Sequence, residues 1–269
     1  MTVKETFDLT GRVAVITGGA GLLGVKHAEA VSEAGGIPVL VDIDGDGALS
    51  AAGKLGGDAM AIAADITDEE AVRGILAQVL DAYGRVDILI NNAANNPKVE
   101  GGGNWSRLED YPLDAWNQDL AVGLTGAFLV SRVIGAEMAR TGTGVILNIS
   151  SDLGLIGPDQ RIYADGGLRD DNQAVKPVTY SVVKSGLIGL TRYLATYWAD
   201  RGVRVNAVAP GGVLQGQDPA FVERLSGLIP MGRMAEPDEY KATVLFMISD
   251  ASSYMTGAVV SVDGGRTCW

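Results

Sequence analysis

The chain has one cysteine, Cys268, one histidine, His27, and many fewer basic than acidic residues. A lone cysteine rules out an intrachain disulfide and a cysteine-based metal site, and a single histidine leaves too few ligands for zinc. The formal net charge of −12 excludes the basic face that nucleic acid or anionic lipid requires. Neither a nucleic-acid nor a membrane partner is expected, although a local site can oppose the global sign. No uninterrupted run of about 18 apolar residues exists, so no transmembrane helix is expected. The polar start, Met1-Thr2-Val3-Lys4-Glu5, lacks the apolar core of a signal peptide, and a cytoplasmic location is expected. What the chain has in abundance is glycine, 37 of 269 residues, with 47% hydrophobic residues. That mixture suits an α/β protein with one large core and many tight turns between strands and helices.

Short apolar runs alternate with longer amphipathic stretches. Strands are expected at residues 12–17, 37–42, 59–63, 86–90, 145–149, 203–208 and 258–262. Helices are expected at about 22–34, 68–83, 113–140 and 178–200. The strands are apolar on both sides, as strands covered by helices on both faces are. Repeated strand–helix–strand units predict a doubly wound parallel sheet of about seven strands. No composition break is long enough to be a linker, so residues 1–269 read as a single Rossmann-type domain.

Residues 17–24 read TGGAGLLG, directly after a strand and at the start of a helix. Glycines there allow a tight turn and close approach of a pyrophosphate to the backbone, with the helix N-terminus pointing free N–H groups at the phosphates. A plain tight turn is the simpler alternative, and the flanking strand and helix argue against it. Asp42 ends the second strand, 18 residues beyond Gly24, where a carboxylate accepts hydrogen bonds from a ribose. Asp42, Asp44 and Asp46 would repel a 2′-phosphate, with no Lys or Arg in the turn to offset them, so NAD is expected over NADP.

Tyr180 and Lys184 stand four apart in a predicted helix and share one face. An ammonium near a phenol favours the phenolate, and such a tyrosine can take a proton from an alcohol or return it to a ketone. A surface lysine lying over a packed tyrosine is the plain alternative. Ser151 sits just past the fifth strand, at the carboxyl edge where open α/β sheets bind ligands. From there it can orient a substrate oxygen. His27 falls in the first helix, away from that edge, and reads as structural. Trp198 reads as core or subunit interface.

Together these residues resemble the short-chain dehydrogenase/reductase family over nearly the whole chain. TGGAGLLG is similar to its glycine turn, Asp65 to its adenine-contacting aspartate, and Asn91-Asn92-Ala93-Ala94 to its Asn-Asn-Ala-Gly segment. Ser151, Tyr180 and Lys184 match its catalytic serine, tyrosine and lysine. Pro210-Gly211 matches the pair bordering the nicotinamide, and Val262-Asp263-Gly264-Gly265 its closing segment. The resemblance implies cofactor contacts at Gly18, Leu22, Leu23, Gly24, Asp42, Asp65, Ile66, Asn92, Ala93, Tyr180, Lys184, Pro210, Gly211 and Val213. It also implies a homo-oligomer, most often a tetramer, packed through the two long helices.

Four departures bear on mechanism. Leu22 replaces the middle glycine of the turn. Gly123 stands where the family carries an asparagine that helps hold a water of the proton relay. Tyr180 lies 29 residues beyond Ser151 instead of about a dozen, whereas Tyr163, 12 beyond, has Gly167 in place of a lysine partner. Residues 157–177 therefore read as an insertion, charged at Asp159, Arg161, Asp165, Arg169, Asp170, Asp171 and Lys176. It forms either a lid over a polar substrate or a subunit contact. Gln215 replaces a threonine that touches the nicotinamide amide, and residues 213–234 form the variable substrate loop, where residues 216–234 suit a partly apolar lid helix. The implied reaction is hydride transfer between NAD and a secondary alcohol or ketone, the substrate a sugar, polyol or sugar derivative. The alternatives are a ketoacyl or hydroxyacyl reductase and a non-catalytic NAD-binding sensor or partner subunit.

Overall fold

In the computed structural model, which describes residues 2–95, 104–164, 167–169 and 172–269, the chain begins its sheet with β1, Val13–Thr17. Every residue of that strand is buried, and alternate side chains enter opposite layers. Val13 and Val15 join one core and Ala14 and Ile16 the other, the two-residue period of a strand read on both faces. The remaining strands are β2 (Ile37–Asp42), β3 (Met60–Ala63), β4 (Ile88–Asn91), β5 (Gly144–Ile149), β6 (Val203–Pro210) and β7 (Val259–Val262). They form one sheet in the order β3-β2-β1-β4-β5-β6-β7, all paired parallel. This is the doubly wound topology expected, and its order reverses between β1 and β4, which opens a crevice at their carboxyl ends.

Helices α1 (Leu22–Glu33), α2 (Gly45–Leu55) and α8 (Lys241–Ile248) cover one face. On the other lie α3 (Glu69–Tyr83), α5 (Ala127–Thr141) and α6 (Val178–Tyr197). The stretch expected as one helix after β4 is α4 (Leu113–Leu120), a π-helical turn over Ala121–Gly126, and then α5. The sequence reading did not propose α2 or α8. In α2 three glycines blur the propensity, and α8, KATVLFMI, is apolar nearly all round, so its period is invisible. A short helix, α7 (Pro219–Ser226), lies in the substrate loop, capped by Asp218, which accepts from the N–H groups of Ala220 and Phe221.

Residues 113–141 are long and apolar enough, by length and composition, to cross a membrane, although no unbroken apolar run marked them in the sequence. Their apolar side chains are used inside the fold: Leu129, Val130, Ile134 and Met138 pack on the sheet. Trp198 is also core, for a Cβ on Gly135 would lie 2.5 Å from its ring. Asp165, Asp170 and Asp171 of the insertion fall outside the described residues.

Candidate active site

A cavity of about 1420 Å³ runs along the carboxyl edge of the sheet from Gly18 and Asp42 to Tyr180 and Arg266. Gly18, Leu22, Leu23, Asp42, Asp65, Ile66, Asn92, Ala93, Ser151, Tyr180, Lys184, Pro210, Gly211 and Val213 all line it, as does Gln215. Of the expected cofactor-contacting and catalytic residues, Gly24 alone does not. A Cβ there would lie 2.1 Å from the Gly18 carbonyl oxygen, so the absence of a side chain at Gly24 lets α1 pack closely onto the turn.

The turn at the nucleotide end is held from two sides. Gly18 adopts φ +63°, open to glycine at little cost, and a Cβ there would meet Ala93 Cα at 2.9 Å. The Asn92 amide donates to the carbonyls of Thr17 and Gly18, both at 3.0 Å, and the N–H groups of Asn92 and Ala93 donate to Thr17 Oγ1. The residue capping α1 is Gly21, which offers no side chain to the first N–H groups, so they remain available to an anion. Asp42 accepts from Ala20 N at 3.0 Å and from Asp44 N at 3.0 Å, which fixes its carboxylate at the cavity mouth. Asp65 accepts from both the N–H and the hydroxyl of Thr67. A cradle that only glycine fits, a helix end without a side-chain cap and an anchored carboxylate together fit a dinucleotide.

At the other end, the reacting groups are set by β5 and α6. Lys184 is buried and donates to the Ile149 carbonyl at 2.8 Å, while Ser150 Oγ donates to the Lys184 carbonyl at 2.7 Å, which binds the strand end to the helix. Below them, Asn91 donates to Ser131 and Asn148, and Asn148 to Thr191, a buried amide ladder joining β4, β5, α5 and α6. Ser151 Oγ donates to Asp152 Oδ1 at 2.7 Å and accepts from Leu153 N. Asp152 is also buried, facing Arg266 Nε at 3.4 Å, and burial raises its pKa.

Tyr180 differs from expectation. Burial raises its pKa, against the lowering effect of the Ser151 hydroxyl. The expected help from Lys184 is weak in the chain alone because its Nζ stands 5.8 Å from the ring centre and is engaged by Ile149. A nearer cation comes from the insertion: Lys176 Nζ lies 3.8 Å from the centre of the same ring. Burial and then the charge of Lys176 bring Lys184 down to about 8, and burial likewise brings Lys176 to about 8. Nothing in the local sequence separated Lys176 from the other insertion charges, nor marked the buried Arg266.

The insertion forms the roof. Pro158, Asp159, Ile162, Tyr163, Leu168 and Lys176 line the cavity. Ile162 packs with Leu225, Ile229 and Met234 of the substrate loop, Arg224 Nε donates to the Ile162 carbonyl at 2.8 Å, and the Tyr163 ring lies tilted against that of Phe221 with ring centres 5.5 Å apart. Burial pushes the Tyr163 pKa up, and Lys184 is not its partner, so its hydroxyl remains a hydrogen-bonding group.

A doubly wound sheet with a dinucleotide cradle at one end of its crevice, and a serine, tyrosine and lysine at the other, defines a nicotinamide-dependent oxidoreductase. Residues 12–164 match the family model described as short chain dehydrogenase, and residues 170–267 one described as enoyl-(acyl carrier protein) reductase. The chain belongs to the short-chain dehydrogenase/reductase family. It is similar to a D-threitol dehydrogenase of Mycolicibacterium smegmatis, 34% identical with 99% of this chain and 97% of that one covered. It is 36% identical to an L-tagatose-forming galactitol 2-dehydrogenase of Cereibacter sphaeroides over the full length of both. Among solved structures, a NAD+-bound xylitol dehydrogenase superposes with TM-score 0.83 at 28% identity, covering 96% of this chain and 99% of that one. A gluconate 5-dehydrogenase of Burkholderia cenocepacia in complex with NADP and tartrate superposes with TM-score 0.87 at 27% identity, over the whole of both chains.

Proposed function

We propose that this chain oxidises a secondary alcohol of a polyol, sugar or sugar derivative with NAD, and reduces the corresponding ketone in the reverse direction. The observation that carries the reading is the convergence of Ser151, Tyr180 and Lys184 on one wall of the cavity whose far end holds Asp42. Tyr180 takes the alcohol proton as phenolate, Ser151 orients the substrate oxygen, and Lys184 stabilises the phenolate and holds the nicotinamide ribose. Gly18, Leu22 and Leu23 would hold the pyrophosphate, Asp42 the adenosine ribose, and Asp65 and Ile66 the adenine. Asn92, Ala93, Pro210, Gly211 and Val213 would flank the nicotinamide half. The bound nicotinamide supplies the hydride acceptor.

NAD is favoured over NADP by charge. The reading is supported by the Asp42 carboxylate, held by Ala20 and Asp44, which would repel a 2′-phosphate on a ribose bound to it, while Ile43, Ala64, Asp65, Ile66 and Thr67 in the same lining offer no cation. A polar substrate is favoured by Lys176, Gln215, Gln217 and Arg266 at the reacting end and by the polyol relatives. The test is nicotinamide reduction with NAD and NADP across polyols, sugars and hydroxyacyl thioesters, with Tyr180→Phe as control. Turnover of a polyol or sugar with NAD, lost in Tyr180→Phe by about a hundredfold or more, is expected. Turnover confined to thioesters, or unchanged in Tyr180→Phe, refutes the reading. A homotetramer belongs to the same proposal: Phe128, Val182, Tyr193 and Tyr197 are exposed on α5 and α6, an apolar face of the kind subunits bury. Sedimentation of a monomer at micromolar concentration would refute that part.

A further inference from the structure

A second, small cavity adjoins the large one and shares Ala94, Asn95, Tyr180 and Lys184 with it. It offers about 10 Å³ to the centre of a water molecule, room for roughly one water. Lys184, Tyr180, Gly123, Val183, Thr179 and Asp119 are among the residues that line it. The π-helical turn over Ala121–Gly126 widens the backbone beside it, a distortion that recurs at functional sites. Gly123 contributes no side chain, and none would fit, since a Cβ there would meet Val183 Cγ1 at 2.5 Å. The polar side chains that line this cavity are therefore Lys184, Tyr180, Asp119, Thr179 and Asn95, and Asp119 is the carboxylate among them.

Asp119 has an arrangement of its own. Tyr111 donates to its Oδ2 at 2.9 Å and Thr179 donates to the same oxygen at 2.5 Å, while Tyr111 and Thr179 lie 2.9 Å apart. Both bonds fall on Oδ2, which leaves Oδ1 able to accept from a water. Asp119 is half-buried, whereas Lys184 is buried. Among the residues of the small cavity, Asp119 is the carboxylate that reaches both the interior and solvent. Lys184 has three N–H donors, one of them spent on the Ile149 carbonyl, so donors remain for a cavity water.

We propose that protons released in alcohol oxidation leave the buried site through this cavity, passing from the Lys184 ammonium to one water and from it to the Asp119 carboxylate. The step rests on the dehydrogenase reading. The alcohol gives its hydride to the nicotinamide and its O–H proton to the Tyr180 phenolate. Lys184 gives a proton to the water, the water gives one to Asp119, and Lys184 is made whole by the proton that Tyr180 took. Asp119 then releases its proton to solvent, and ketone reduction runs the chain backwards. A neutral amine is accessible to Lys184 near neutral pH because burial and the neighbouring Lys176 bring its pKa to about 8. Asp119 is thus a relay residue that never touches the substrate.

Asp119→Asn tests this without dismantling the cluster, because the amide oxygen still accepts from Tyr111 and Thr179. The first readout needs no turnover: proton exchange between Lys184 Nζ and water, followed by NMR in protein carrying 15N-lysine, below the pKa of the ammonium. Exchange slowed about tenfold in Asp119→Asn and recovered in Asp119→Glu is expected. The second readout is kcat, expected to fall about tenfold or more with KM for the alcohol unchanged, and to recover on adding a small carboxylate such as formate. Lys184 exchange that is equally fast in Asp119→Asn overturns the relay, whatever the catalytic result. A wild-type chain that turns over no alcohol while its Lys184 exchange depends on Asp119 overturns the dehydrogenase reading and leaves the proton path standing.

Discussion

Placing a methyl group on Gly123 tests how tightly this position packs against Val183. The Cβ of Gly123→Ala would lie 2.5 Å from Val183 Cγ1, about 1 Å inside an ordinary carbon–carbon contact. Val183 is 5% exposed and sits within α6, where a β-branched side chain has essentially one χ1 rotamer, so it cannot swing aside. Overpacking of this kind costs about 1–3 kcal/mol, and the gain of alanine over glycine in a helix offsets about 1 kcal/mol of it. Gly123→Ala should then destabilise the chain by up to about 2 kcal/mol. Val183→Ala alone should cost about 2 kcal/mol for two lost methyl groups and the space they leave. In the double variant the clash is gone and the new methyl group fills part of that space. It should therefore be more stable than the sum of the single effects by about 2 kcal/mol. Urea unfolding followed by tryptophan fluorescence, with buried Trp198 as reporter, measures all four proteins. Additivity within about 0.5 kcal/mol, or a Gly123→Ala protein more stable than wild type, would refute the argument.

Three further outcomes follow from the geometry. His27 is fully buried; the Asn92 side chain lies near, but neither ring nitrogen reaches a hydrogen-bond partner, and burial lowers its pKa to about 4 from 6.5. Between those values the unfolded chain binds the proton and the native chain does not. Stability should therefore fall by about 3 kcal/mol as pH drops from 6.5 to 4, and His27→Gln should flatten that part of the stability–pH curve; an unchanged curve counts against it. Asp42→Ser should narrow the preference for NAD over NADP by about tenfold or more, a change of about 1.4 kcal/mol, read from the two kcat/KM values; an unaltered ratio would mean the carboxylate does not face the 2′ position. Lys176→Met removes a like charge and should raise the Lys184 pKa, measured by NMR of the lysine Nζ; a fall or no change would show that Lys176 does not act on Lys184.

The architecture was legible because its signals are local and repeated. The edge strands β3 and β7 are only partly buried, while the inner strands β1, β4, β5 and β6, with most of β2, carry apolar runs buried on both faces. That was enough to derive the parallel sheet, the nucleotide turn and the Tyr180–Lys184 helix. The elements that escaped were α2 and α8, where glycine in one and uniform apolarity in the other erase the helical period. Gly24 was legible as a necessary glycine, but its close contact with the Gly18 carbonyl was not, because spacing does not show which backbones meet. The insertion was legible as a departure in spacing; its packing on Leu225, Ile229 and Met234 was not.

By itself, then, the sequence determined the order of the strands and of most helices, the glycine turn between β1 and α1, and the placing of Tyr180 and Lys184 on one helix face, since each depends on residues close together in the chain. Only the tertiary structure decided which charges surround that pair. Lys176 over the Tyr180 ring, Arg266 against Asp152, and Asp119 bound to Tyr111 and Thr179 each join residues brought together by the closing of the fold. The same closure takes Tyr180 and Lys184 out of water, and so sets their pKa values against what an exposed pair at this spacing would show, because the cost of burying charge depends on everything that packs around it.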